Sequence, residues 1–304
     1  MKYKITNRNS RTKTFNQLII MRKLILLISL FIFSIILAQN QRFTYEYTFK
    51  MDSLNKDYIE KEIMNLDITK DGSNFYSALL ITRDSLFKAE FEKTKVSQSV
   101  TIDMRKVKMA KVNFRVSKSY PDFETIYHTS IFATNVALKE NKKINWTILP
   151  DTKSIEGFKV QKATTTFGGR NWTAWFANDI QIQDGPYKFC GLPGLILNIE
   201  DEKGDHIFNL VGSQKLDYQP LIIDSKKQET FLTNEKFNQL WNEYKKDPAR
   251  NIKLIHSSSE MSDTILSDAN GNPLSKQDLI KRKEQGARET FKKVNNFIEM
   301  ELYK

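Results

Sequence analysis

Cysteine is almost absent from this 304-residue chain: Cys190 stands alone, so no intramolecular disulfide can form. Three readings of its thiol stay open. It is a small packed hydrophobe beside a Gly-Pro turn, a redox or intermolecular thiol, or a nucleophile or metal ligand with no histidine near it in sequence. Histidine is nearly as scarce. His128, His206 and His256 lie far apart, and none has a second histidine at metal-ligand spacing. The chain also lacks H-E-x-x-H, G-x-S-x-G and a glycine-rich phosphate loop, which removes the common zinc-hydrolase, serine-hydrolase and nucleotide-binding signatures. No cofactor is implied.

No apolar run reaches the ~20 residues that a membrane-crossing helix needs. The longest, Leu24 to Leu37, follows Met21-Arg22-Lys23 and precedes Ala38. A basic start, an apolar middle and a small residue before polar sequence are the parts of a secretory signal peptide, here residues 21–38; an uncleaved anchor is the rival reading. The expected location is therefore the periplasm or the outer membrane's surface. No cysteine follows Ala38, so a lipid-modified terminus is not expected there. Residues 1–20, polar and basic, read as an extension placed ahead of the true start. The first 38 residues carry seven Lys and Arg and no acid, and setting them aside leaves 40 basic against 36 acidic residues. Strong basicity thus belongs to the export segment, and a nucleic-acid partner loses its electrostatic support. Repeats of 20–50 residues and low-complexity tracts are missing too.

What is present is strand patterning and one dense stretch. At 40% hydrophobic and 12% aromatic the chain can bury a full core. Alternation predicts strands at Phe43–Phe49, Ile63–Ile68, Phe75–Ile81, Val107–Val116, Glu124–Phe132, Lys143–Leu149 and His206–Val211, with a turn at Lys70–Ser73. Residues 83–95 have helical spacing. Gly157–Phe167 and Arg170–Phe176 read as a hairpin around Gly168-Gly169, because a two-residue turn of this kind needs φ > 0 at both central positions. Trp172, Ala174 and Phe176 share one face of the second strand, and Asn171, Thr173 and Trp175 the other. Asp184-Gly185-Pro186 is turn chemistry, and Cys190-Gly191-Leu192-Pro193-Gly194 a sharp bend entering the apolar strand at Leu195 and Ile196.

At these residues the chain resembles a known family. Gly191-Leu192-Pro193-Gly194-Leu195-Ile196 is the signature of the GLPGLI family of exported bacterial proteins, and Gln161–Ala163, Gly169-Arg170, Ala174–Phe176 and Asp184–Phe189 match its pattern as well. The resemblance implies export and a sheet-rich domain, but no established activity. It also suggests, by analogy, the sheet-and-helix design of periplasmic lipoprotein carriers of the LolA type.

The last third turns helical. Thr233 caps a helix with the stripe Phe237, Leu240, Trp241 and Tyr244, ended by Asp247-Pro248. A polar connector, residues 257–275, leads to a capping box at Ser275 and Asp278, then a helix carrying Ile280, Ala287, Phe291, Val294 and Ile298. The predicted architecture is α+β but mainly β: a curved antiparallel sheet with helices packed on one face. Residues 39–229 form the sheet domain and 230–304 a helical C-terminal region.

Candidate function follows from architecture rather than motif. Arg170 beside Trp172 and Trp175 suits an anion or an aromatic group, or simply a cation stacked on an indole. Glu200, Asp201, Glu202 and Asp205 lack the ligand spacing of a calcium loop and read as a solvated hairpin tip. The leading expectation is a non-catalytic envelope protein that binds an apolar ligand, a lipidated chain or a partner protein in a sheet cavity. A structural or assembly role beside outer-membrane proteins is the alternative. A hydrolase would require two or more of Cys190, His206, Asp179 and Asp184 to converge in one cleft.

Overall fold

The computed structural model describes residues 21–23, 40–83, 85–86, 108, 110–132, 134–141, 143–218, 220, 229–255 and 274–304. Twelve strands form one open, curved sheet: β1 (Asn40–Lys50), β2 (Ile59–Thr69), β3 (Gly72–Ser77), β4 (Arg115–Ser119), β5 (Glu124–Ile131), β6 (Thr134–Glu140), β7 (Thr147–Ile155), β8 (Phe158–Phe167), β9 (Arg170–Ala177), β10 (Leu195–Asp201), β11 (His206–Leu216) and β12 (Thr230–Leu232). Their order is β12-β6-β5-β4-β3-β2-β1-β11-β10-β9-β8-β7. Two meanders, β1 to β6 and β7 to β11, therefore meet at a seam where β1 pairs with β11. All pairings are antiparallel except the edge pair β12–β6, which is parallel.

The seam strand shows why the sheet forms. In β1, Phe43, Tyr45, Tyr47 and Phe49 are buried while the residues between them are half-buried. A side-chain period of two thus puts four aromatic rings on one face. Burying a large apolar side chain contributes ~1.5–3 kcal/mol, so this strand alone commits the sheet to covering that face. Met64 and Leu66 of β2, Phe75 of β3, Trp172, Ala174 and Phe176 of β9, and Phe208 of β11 extend it. Tyr47 stacks on Phe208, with centroids 4.1 Å apart.

Among the described residues three helices are C-terminal: α1 (Asn234–Lys246), α2 (Arg250–Ile255) and α3 (Lys276–Lys293). Thr233 accepts from the Lys236 N–H, and Ser275 with Asp278 forms both bonds of the capping box. Trp241 and Tyr244 of α1 meet Phe291 of α3 edge-on. Phe237 is buried against Tyr303.

Several predicted boundaries are corrected by side-chain chemistry. The strand expected over Phe75–Ile81 stops at Ser77, whose hydroxyl accepts from the Leu79 N–H and caps a helix starting at residue 78. The strand expected over Val107–Val116 begins only at Arg115. The N–H groups of Lys111 and Val112 turn instead to the Glu62 carboxylate, at 2.7 and 3.3 Å. The strand placed at Lys143–Leu149 starts at Thr147, after the Asn145 carbonyl and the Trp146 indole have been taken by Thr165 and Cys190. β6 has no counterpart in the prediction. The last helix ends at Lys293, because the N–H groups of Asn295 and Asn296 bond the Met51 carbonyl; Ile298 lies beyond it. His256, most of the predicted helix over 83–95 and most of the connector over 257–275 lie outside the described residues.

Candidate functional site

The dense stretch builds the lining of the sheet's inner face. Between β9 and β10 the chain leaves the sheet and returns at Leu195; within this excursion Asp184 to Phe189 are all buried. Asp184 anchors it. Its carboxylate pairs with Lys118 of β4, both side chains having no exposed surface. It also accepts from Ser73 and Tyr120, each at 2.5 Å, and from the Gly185 N–H at 2.6 Å. Lys118 donates further to the Gly185 carbonyl at 2.8 Å. A buried charge pair persists only with its remaining donors and acceptors served, which is the case here.

Four residues on, Lys188 reaches Glu140 and Glu299, each at 2.6 Å, and Tyr187 donates to Glu299. Tyr187 has φ +54, a region uncommon for a bulky residue, and is held there by burial and by this bond. Glu299 belongs to the segment after α3, residues 294–304, which lies over the inner face as a strap. Arg170 fastens the strap: it donates to the Phe297 carbonyl at 3.0 and 2.7 Å, to Asn296 at 2.5 Å and to Asp201 at 2.8 Å. At the Gly168-Gly169 turn, with φ +62 and +81, the Gly168 carbonyl accepts from the Met300 N–H at 2.9 Å.

Between strap, sheet and excursion lies a cavity of about 110 Å³. Tyr47, Phe49, Phe114, Tyr127, Tyr187, Phe297 and Tyr303 supply its aromatic walls, and His206 lines it. Tyr127 and Tyr303 share a hydroxyl–hydroxyl bond of 2.7 Å. His206 bonds the Tyr47 hydroxyl through Nδ1 at 2.7 Å, while its Nε2 is buried without a hydrogen-bond partner. A larger depression of about 1000 Å³ opens over β7 to β10. It is polar, and its groups largely serve one another: Thr166 bonds Asn171, and Asn171 bonds Glu202. We read it as a solvated face and the aromatic cavity as the candidate site.

Burial, with Arg170 nearby, lowers the imidazole of His206 to about 3. In the unfolded chain it titrates near ~6.5. Between these values the unfolded state carries the extra proton, so this group's contribution is complete above pH 6.5 and is lost as pH falls toward 3. The slope is ~1.4 kcal/mol per pH unit. Urea unfolding at pH 7 and pH 5 should show wild type losing ~2 kcal/mol more than His206→Phe on acidification. Equal losses would refute a neutral buried imidazole.

The other predicted residues are placed as follows. Trp172 is buried and donates to the Phe167 carbonyl at 3.0 Å. Trp175 lies on the opposite face under the Lys153 ammonium, 4.0 Å from the ring centroid. With Arg170 committed to the strap, the three do not converge on one pocket. Gly185 sits against the Ile196 side chain, Gly194 against the backbone of Ala177, and Leu192, Leu195 and Ile196 are buried, whereas Pro193 and Gly191 are exposed. Cys190 lies within electrostatic reach of Lys118 and Asp184, but burial pushes its thiol up to about 11. It is protonated at neutral pH and a weak nucleophile. Asp179 is exposed, and His206 is engaged with Tyr47. In the tip after β10, Asp201 accepts from the N–H groups of Asp205 and His206 at 2.7 and 2.9 Å. Among the described residues no group of three or more His, Cys, Asp or Glu is arranged to hold a metal ion. No described helix is long and apolar enough to cross a membrane.

Lys118, Lys188, Glu299 and Tyr47 were not singled out by sequence reasoning. One signal was available for Lys118: it shares a strand face with the buried Val116. A lysine in register with a core residue has to find a buried partner.

Comparison with known proteins adds a family segment and a distant likeness. A family model described as "Protein of unknown function (Porph_ging)" matches residues 133–198, the span from β6 into β10. No curated protein matches the chain. Two solved structures titled "Structure of PNGF-II", in the P21 and C2 space groups, are similar at 15% and 16% identity, with TM-scores of 0.44 and 0.46. Each likeness covers 67% of this chain and about a third of the other, 33% and 32%.

Proposed function

We propose that this chain, which over residues 133–198 carries the GLPGLI-type sequence of a family of unknown function, is an exported, non-catalytic binding protein of the cell envelope. Its ligand site is the aromatic cavity under the strap. The observation that carries this reading is the cavity itself: rings on most sides and a buried imidazole nitrogen with no partner. Apolar pockets with a few placed polar groups are the usual form of a small-molecule site. At about 110 Å³ the cavity is smaller than the ~150 Å³ that encloses a benzene ring, but it is open to solvent on one side. The ligand is therefore at most one ring with part of it outside, and a lipidated chain does not fit. The protonated Cys190 thiol and the separate commitments of His206 and Asp184 speak for binding rather than catalysis.

Export rests on the basic and apolar run at Met21–Ala38. The assembly alternative would use an open sheet edge, yet both edges are blunted. β7 carries Pro150, Asp151 and Lys153, and β12 has only 3 residues.

Native mass spectrometry of the protein purified from its own envelope fraction tests both parts. The expected species begins after Ala38 and carries a small non-covalent adduct that organic extraction releases. A chain with its first 38 residues intact in the cytosolic fraction would overturn export. A clean apo mass would overturn a resident ligand.

A further inference from the structure

We infer that the cavity takes a one-ring aromatic molecule bearing an uncharged hydrogen-bond acceptor, held by the Nε2–H of His206. The inference rests on reading the cavity as a ligand site and specifies what enters it. Buried polar groups are rarely left unpaired, and each exception asks for an explanation. His206 is 2% exposed, lines the cavity, and leaves Nε2 unpaired. The Phe297 carbonyl faces the imidazole as a weak acceptor that raises its basicity. Its oxygen already accepts twice from Arg170, however, and Nε2 lies outside hydrogen-bond geometry to it, so a ligand acceptor offers the stronger bond.

The tautomer follows from Tyr47. Its buried hydroxyl meets Nδ1 at 2.7 Å. If Nδ1 carried the proton, the hydroxyl hydrogen would have no acceptor and two buried groups would stay unserved. With Tyr47 donating to Nδ1, the imidazole proton sits on Nε2, and only that one donor lacks a partner. A ligand acceptor completes the set. Charge narrows the class. The charged groups lining the cavity, Lys111 and Glu299, are already paired with Glu60 and Lys188, which leaves neither free to neutralise a charged ligand and disfavours an anion. The Nε2–H itself disfavours an ammonium, which brings only donors. The surrounding rings select an aromatic body through edge-on and stacked contacts.

The test uses the wild-type protein and three probes: benzyl alcohol, toluene and benzylamine. Nitrogen-15 NMR of the free protein should show His206 as the Nε2–H tautomer, and an Nδ1–H tautomer would overturn the acceptor class. In titrations followed at Tyr47 and Tyr187, benzyl alcohol should bind about fivefold more tightly than toluene, the factor that one neutral hydrogen bond makes, and benzylamine should bind most weakly. Equal affinity for benzyl alcohol and toluene, or preference for benzylamine, would refute the class while leaving the cavity a ligand site. No shift with any probe would refute the cavity reading itself.

Discussion

Asp184→Asn should lower the unfolding free energy by ~3–5 kcal/mol, the cost of leaving one member of a buried ion pair uncompensated. The carboxylate is the meeting point of Ser73, Lys118 and Tyr120 from the first meander and of the Gly185 N–H from its own turn. Without its charge, Lys118 keeps a fully buried ammonium facing two carbonyls, of Gly185 and Phe189. The pair Lys118→Met with Asp184→Asn should be less destabilised than the sum of the two single changes, since the double change removes the stranded charge. Urea denaturation of the four proteins measures both quantities. A single-variant loss under ~1 kcal/mol would show that water or a local shift relieves the pair.

Gly194→Ala should be the second large effect, at ~3 kcal/mol or more, and Gly191→Ala a much smaller one. A Cβ on Gly194 would stand 2.1 Å from the Ala177 carbonyl oxygen and 2.6 Å from its carbon. Those atoms end β9 and accept from the Ile180 N–H, so they cannot swing aside as a side chain tip would. Overpacking against fixed structure costs ~1–3 kcal/mol or more. Gly191 has φ +90 and nothing within 4 Å of a built Cβ. There the cost is the backbone conformation alone, ~1–2 kcal/mol. Two glycines of one short motif thus serve different purposes, close approach and chain reversal. Thermal or urea melts that reverse the order would refute this division.

The sheet was largely legible in the sequence because side-chain alternation is a local property. Phe43 to Phe49 and Phe158 to Phe176 announce their faces within a few residues, and the described strands there follow them. Where a distant side chain competes for the backbone, alternation misleads: Lys111 and Val112 sit in an alternating run, yet their N–H groups belong to Glu62. The site was less legible. Lys118 and Asp184 are 66 positions apart, and Arg170 meets Phe297 across 127. Such pairings leave no spacing to read. Arg170, after Gly169 and two residues before Trp172, looked like a binding cation, and nothing local announced its hydrogen bonds to Asn296 and Phe297. The cavity arises only where the strap crosses the sheet, so no single stretch could announce it.

The seam between β1 and β11 bears on how the molecule assembles. Asn40 pairs with Leu216, and the ten registered partners of β1 on that side all come from the far end of the sheet domain. A chain emerging from its amino end can form the β1-to-β6 meander early, but β1 keeps one open edge until β11 arrives. Pairings this distant in sequence raise the entropy of closure and slow folding. They also leave an aromatic-backed edge exposed in the meantime, which invites contact with other chains. Completion of the sheet is therefore a late event, and a protein arranged in this way would cross a membrane as an unfolded chain more readily than one closed by local contacts.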